Sequence, residues 1–318
     1  PNIHESKLVP DFRVNGLSRD AHADREILAI QHWAEAQRLN AISLFETVGD
    51  AIPAFPEECF ASLSTDVEEA SKAIRARLDF PIERQRRMTA KQKEGLPGML
   101  REGMEALGIL VLRNNDLAGY GVSGLCIAEF PLPIIAFAQE SPGRTAFTLL
   151  HELGHIVLRQ SAISDSGSVR SAETHAKRVE KWCNKFAAAF LIPRDAVVAL
   201  RPVPTKPASM IDDDLLHTLA RSFRVSEHAM LIRLVDLKYV DEGYYWQIKR
   251  PQFLAIEAAF KKGGRAKVWV SRVVNSLGGL YTGLVMEAWG TGKIPYHQAA
   301  DFMGLKNPQH LSRVREVI

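Results

Sequence analysis

The chain has 318 residues and a formal net charge of +3, from 40 Lys and Arg against 37 Asp and Glu. Hydrophobic residues make up 46 % and charged residues 24 %, so a disordered chain and a strongly basic nucleic-acid-binding protein are excluded. No apolar run reaches the length of a membrane span, and the N-terminus shows no signal-peptide pattern. The cysteines Cys59, Cys126 and Cys183 are widely spaced, which favours reduced thiols in a cytoplasmic protein.

The first third of the chain is predicted to be mostly helical, from Ala21 to about Leu107. Its clearest segment is Asp66–Leu78, where apolar residues recur at helical spacing behind candidate caps at 64–66. The pattern then changes to short apolar runs with strand character. These runs predict three strands, at Ile109–Arg113, Leu125–Ile127 and Ile134–Ala138.

Two helices are predicted after the strands. Ser141 and Pro142 form a typical helix start, which predicts a helix over about 143–159. A polar loop follows, and a second helix is predicted over about 172–191, ending before Pro193.

The rest of the chain is predicted to be helical to about Leu237 and irregular over 240–267. A long helix is expected from Val268 to Trp289, with a weak point at Gly278-Gly279. Two short helices are expected to close the chain, at 295–303 and 307–317.

The sequence His151-Glu152-Leu153-Gly154-His155 matches the pattern H-E-x-x-H within the first of the two helices after the strands. Residues four apart lie on one helix face, so both imidazoles can reach one metal ion. Glu152 lies beside that face, where its carboxylate can act as general base on a water molecule. The pattern therefore predicts metal-assisted hydrolysis of a peptide bond.

A catalytic zinc site normally has a third protein ligand, and the next helix offers Glu173, His175 and Glu180. Glu180 is preferred because Glu180, Asn184 and Ala187 share one helix face, and small alanines there allow close helix packing. Cys183 lies well away from that face and is interpreted as a core thiol.

Three parts of the sequence together resemble the ImmA/IrrE family of metallopeptidases. They are the motif at 151–155, the pattern Glu180-x-x-x-Asn184-x-Phe186-Ala187-Ala188, and Leu191-x-Pro193. The stretches at 107–112, 122–126 and 146–150 are similar to that family too. The resemblance implies an α+β fold with a mostly helical zincin-like core and a small mixed sheet, plus a helical C-terminal region. It also implies bound Zn2+, which the H-E-x-x-H geometry favours over manganese.

The chain is expected to divide into four segments, and the resemblance is specific only from about 105 to 238. They are an N-terminal helical segment (1–104), the zincin-like core (105–205), a helical follow-on segment (206–239) and a C-terminal helical region that is a candidate sensor (240–318).

Members of the family typically cleave a helix-turn-helix repressor, which releases genes for phage defence, mobile-element transfer or stress response. The segment at 10–14 resembles the one that usually follows a DNA-binding domain, so that domain either was removed or resides in a separate protein. The net charge of +3 and the lack of a clear recognition helix near the N-terminus favour a separate repressor as the substrate. An extended peptide is expected to add to an exposed sheet edge within 122–138. Two rivals stay open: a non-catalytic regulator that binds a repressor or nucleic acid, and a zinc protease of broad specificity.

Two regulatory features are also predicted. Cys126 follows a glycine-rich loop, and its sulfur is a candidate cysteine switch on the zinc; the alternative is a buried structural thiol. A basic run at Lys261, Lys262, Arg265 and Lys267 lies near the aromatic residues at 244–246. That combination can bind a single-stranded nucleic-acid activator, or it can be a solvated loop.

Overall fold

The computed structural model describes residues 21–160, 169–200, 208–259 and 269–316. These residues form a mostly helical protein around one small mixed sheet, which confirms the predicted α+β class. Within the described ranges, no helix combines the length and the apolar character needed to cross a membrane. The basic run at 261–267 and the segment at 10–14 lie outside the described residues.

The three strands lie close to their predicted positions, and the helices are numbered here in chain order. The strands are β1 (Leu110–Arg113), β2 (Gly124–Ile127) and β3 (Ile134–Phe137). The helices are α1 (Ala21–Val48), α2 (Val67–Arg77), α3 (Ile82–Arg86), α4 (Ala90–Ala106), α5 (Pro142–Val157), α6 (Val169–Leu191), α7 (Arg194–Ala199), α8 (Asp213–Phe223), α9 (Glu227–Asp236), α10 (Glu242–Tyr244), α11 (Arg250–Ala259), α12 (Trp269–Gly290), α13 (Tyr296–Phe302) and α14 (Leu311–Arg315).

Local sequence signals explain several of these boundaries. The Asp66 side chain accepts a hydrogen bond from the Glu68 N–H and caps α2. Pro142 opens α5, where its missing N–H is not needed. The prediction of irregular structure over 240–267 is wrong for the described part, because α10, a π-helical turn at Tyr245–Lys249 and α11 run on from one another.

The sheet has the strand order β1-β3-β2. Strand β3 is parallel to β1, with Leu110 opposite Ile134, and antiparallel to β2, with Cys126 opposite Ile135. Alternate residues point to opposite faces of a strand, so each strand contributes to two different cores.

Helices cover both faces of the sheet. On the first face, side chains such as Val111, Cys126 and Ile135 share a core with α2, α4, α5 and α6. On the second face, side chains such as Leu112 and Ile134 share a core with α1 and with α12, α13 and α14. The C-terminal helices therefore complete the second core of the same sheet.

A buried ion pair on α4 holds α12 where that helix breaks. Gly278 has a φ of 87°, and a Cβ there would collide with the carboxylate of Glu105. Arg101 pairs with Glu105 at 3.0 Å and donates to the carbonyl of Asn275 at 2.6 Å, before the break. Glu105 accepts from the N–H of Leu280 at 3.0 Å, after the break. The pair thus satisfies backbone groups on both sides of the interruption.

Candidate metal centre

Close packing of α5 against α6 builds the centre. At Gly154 an added Cβ would lie 3.1–3.2 Å from atoms of Cys183, so the two helices approach closely because this residue has no side chain. Both helices bury an apolar face in the first core, with Leu150, Leu153 and Phe186 fully buried. The polar side chains of the two helices are thereby brought face to face.

His151, His155 and Glu180 form one group of potential metal ligands, and their ligand atoms all lie within 4.8 Å of one another. The Nε2 atoms of the two histidines are 3.3 Å apart. The carboxylate oxygens of Glu180 lie 3.2 Å from His151 Nε2 and 3.0 Å from His155 Nε2.

These distances fit a metal ion as the common partner. Ligand atoms of a tetrahedral zinc site with bonds of about 2.0–2.1 Å lie about 3.3–3.4 Å apart, which is close to the spacing found here. Two imidazole nitrogens facing one carboxylate are also a donor set that suits zinc. The geometry admits a divalent cation and does not by itself select the element.

The charge balance of the group favours a cation as well. Burial by itself would raise the pKa of Glu180, but hydrogen bonds from His151 and His155 outweigh it, so the pKa lies well below its ordinary value. Burial lowers the pKa of His155, yet Cys183, Glu180 and Glu152 raise it well above its ordinary value in total. Surroundings that favour a proton on His155 also favour a metal cation at the same place.

Asn184 supports the first histidine, a role that its position in the sequence did not reveal. Its Oδ1 lies 3.1 Å from His151 Nδ1, so a proton on Nδ1 is held by the amide oxygen and Nε2 is left as a lone-pair donor. The sequence feature that could have indicated this role is the spacing: Asn184 follows Glu180 by four residues on the same helix face. The Nδ1 of His155 is buried and makes no hydrogen bond of normal geometry to a described residue.

Glu152 lies against strand β2. Its exposed fraction is 4 %, and a Cβ added to Gly124 would lie 2.9 Å from its Oε1. The glycine on β2 therefore provides the space for the Glu152 carboxylate. The negative charge of Glu152 helps to raise the pKa of His155. Glu152 therefore lies beside the group of three potential ligands but does not belong to it.

The structure does not bring Cys126 into the ligand group of the described residues. Its side chain is 1 % exposed and belongs to the first core. Burial raises the pKa of its thiol well above the ordinary value, and the charges of Glu152 and Cys183 add to that shift. The cysteine switch stays a prediction, and this interior position favours the alternative of a structural thiol.

The other third-ligand candidates do not join the group in the described residues. His175 Nε2 lies 3.1 Å from Gln160 Oε1 instead. The side chain of Glu173 lies outside the described residues.

The expected exposed sheet edge is not found at β2. This strand lies at an edge of the sheet, but all of Gly124–Ile127 is buried, and the exposed residues nearby are Glu129, Phe130 and Pro131. The two histidines are also nearly fully buried, whereas the Glu180 side chain is 13 % exposed. Solvent therefore approaches the group from the side of Glu180.

Comparison with known proteins gives one finding. Residues 104–235 match the model of the peptidase M78 family, described as an IrrE N-terminal-like domain. The matched range contains all three strands and the complete group of potential ligands. No curated protein and no solved structure matches the chain.

Proposed function

Since residues 104–235 belong to the ImmA/IrrE family of metallopeptidases, we propose that this protein is a zinc-dependent endopeptidase that cleaves a helix-turn-helix repressor. The observation that carries the proposal is the group of His151, His155 and Glu180 with Glu152 beside it. Cleavage of the repressor would release the genes it controls, in phage defence, mobile-element transfer or a stress response.

The residues divide the chemistry among them. His151, His155 and Glu180 would hold the zinc ion, which supplies Lewis-acid activation of water and of the scissile carbonyl when bound. Glu152 takes the proton of the attacking water and returns it to the leaving amine. Asn184 fixes the tautomer and the ring orientation of His151.

Burial of the centre supports a narrow substrate range. The exposed fractions of His151, Glu152 and His155 are between 2 % and 4 %, so a folded protein surface does not reach them. An extended segment of the substrate has to enter from the side of Glu180. A selective enzyme is therefore favoured over a protease that digests any protein.

The test compares the wild-type protein with Glu152→Gln and with Glu69→Gln, an exposed glutamate on α2. Each protein is incubated with the helix-turn-helix protein encoded beside its gene, and fragments are identified by mass spectrometry. We expect Glu152→Gln to slow cleavage by roughly 10²- to 10⁴-fold, the usual contribution of a general base, with bound zinc unchanged. Glu69→Gln should behave as wild type.

Other outcomes identify the rivals. Unchanged biological output from Glu152→Gln would mean that the protein acts by binding and not by catalysis. Digestion of casein at a rate similar to that of the repressor would mean broad specificity.

A further inference from the structure

A second candidate site lies between the end of α3 and the last turns of α8, on elements that carry none of the proposed metal ligands. It is a concave pocket of about 650 Å³. Four arginines line it, Arg86, Arg87, Arg221 and Arg224, together with Thr218 and Ser222 on successive turns of α8. We call this feature the basic pocket.

The positive charge of the basic pocket is poorly compensated. In the part of the chain that the structure describes, none of its four guanidinium groups forms an ion pair, although the carboxylate-bearing Glu83 also lines the pocket. His217, which also lines the pocket, lies 2.7 Å from the carboxylate of Glu227. The pKa of Lys93 lies below its ordinary value because of burial and because of the charge of Arg224, as expected where cations crowd together.

Buried hydrogen bonds hold the two walls in place. Arg224 closes α8 in the left-handed region and donates from Nε to the carbonyl of Arg86 at 3.2 Å. Gln85, fully buried on α3, donates to the carbonyls of Phe223 at 2.7 Å and Leu191 at 2.8 Å. The arginines therefore extend from a rigid junction, which lowers the entropic cost of binding a ligand.

We propose that the basic pocket binds a compact anion that carries several phosphate groups, such as the polyphosphate part of a nucleotide. Guanidinium groups match phosphate oxygens in geometry and stay charged at every physiological pH. The volume is that of a small-molecule site. The described residues that line the pocket include His217 but no Phe, Tyr or Trp, so the pocket lacks the large stacking surfaces that a nucleic-acid strand uses.

This site is separate from the proposed peptidase centre. Gln85 reaches α6 at Leu191, which is eleven residues, or about 16 Å of helix, from Glu180. Binding at the basic pocket can therefore be measured whether or not the protein cleaves a substrate.

The experiment is calorimetric titration of the full chain with inorganic tripolyphosphate. We expect binding to one site that weakens with added salt, because screening reduces the attraction of exposed charges. Arg86→Gln and Arg221→Gln should each weaken binding by about tenfold, the effect of one lost charge-assisted hydrogen bond.

Two controls separate the site from general effects. Arg84→Gln changes an exposed arginine of α3 that does not line the pocket, and it should leave the affinity unchanged. Glu152→Gln should also bind tripolyphosphate normally, so failure of the peptidase proposal and failure of this one are distinguishable. Thermal melting of each variant shows that it is folded.

Three results would overturn the proposal. The first is no binding at millimolar tripolyphosphate. The second is an affinity that Arg86→Gln and Arg221→Gln do not change. The third is that an oligothymidylate or a polyglutamate peptide occupies the pocket at a far lower concentration than tripolyphosphate, and that this binding is lost in the arginine variants. That result would assign the pocket to a strand of nucleic acid or to an acidic peptide.

Discussion

The two faces of the small sheet bury different chemistry. On the face that packs on α5, that helix carries His151, Glu152 and His155, all nearly inaccessible to solvent. The face that packs on α1 and the C-terminal helices is lined mostly by aliphatic side chains. Near that second core, Arg101 and Glu105 bind backbone groups of α12.

The difference shows two uses of buried charge. Unpaired buried charges are strongly destabilising, so each set needs a partner of opposite sign. Between α5 and α6 the polar groups converge on a place that suits a cation, and between α4 and α12 they satisfy an interrupted helix. We therefore expect changes in the polar group between α5 and α6 to affect metal binding and activity, and changes in the ion pair between α4 and α12 to affect mainly stability.

The largest effect should come from Glu180→Ala. Loss of a residue that only hydrogen-bonds to a metal ligand typically lowers metal affinity by roughly 10- to 100-fold. Loss of a proposed ligand itself should lower zinc affinity by more than that, and cleavage should be lost. Zinc content is measured by elemental analysis, and added chelator should lower the melting temperature of wild type more than that of the variant. Full zinc and full activity in Glu180→Ala would move the third ligand elsewhere, with His175 as the next candidate.

Where α4 meets α12, Glu105→Gln should destabilise the protein by about 3–5 kcal/mol, because it leaves the Arg101 guanidinium buried without its counter-charge. Urea unfolding measures this change in the free energy of unfolding. Zinc content per folded molecule should equal that of wild type. Loss of zinc with an unchanged unfolding midpoint would show that the C-terminal helices act on the metal centre directly.

An intermediate effect is expected from Asn184→Ala. Loss of the amide oxygen frees the His151 ring and its tautomer, which should reduce zinc affinity or activity by about 10- to 100-fold. Asn184→Asp retains an oxygen acceptor at the same place and should restore most of the loss. If both variants behave alike, Asn184 contributes through packing and not through its hydrogen bond.

The smallest effect is expected from Cys126→Ser. The interior position predicts unchanged basal cleavage and a loss of about 1–3 kcal/mol, because a hydroxyl replaces the thiol in an apolar core. The basal cleavage is measured without any activating signal, and the loss of stability is measured by thermal melting. A rise in basal cleavage would instead support the cysteine switch.

Much of the framework was predictable because its signals are local. The strands follow short apolar runs, Asp66 caps α2, and Pro193 follows the end of α6, as the sequence predicted. The aromatic cluster at 244–246 misled the prediction, because Tyr244 and Tyr245 are buried in the first core and occupy a helical segment.

The sequence by itself determined that the side chains of His151 and His155 lie on one side of their helix, because residues four apart on a helix share a face in any fold. It also limited the third ligand to a few residues of the next helix. Only the tertiary structure decided that Glu180 lies beside both imidazoles and that Cys126 lies in the core. It alone placed Arg86 and Arg221 in one pocket, because contacts between residues so far apart in the chain depend on how whole helices pack.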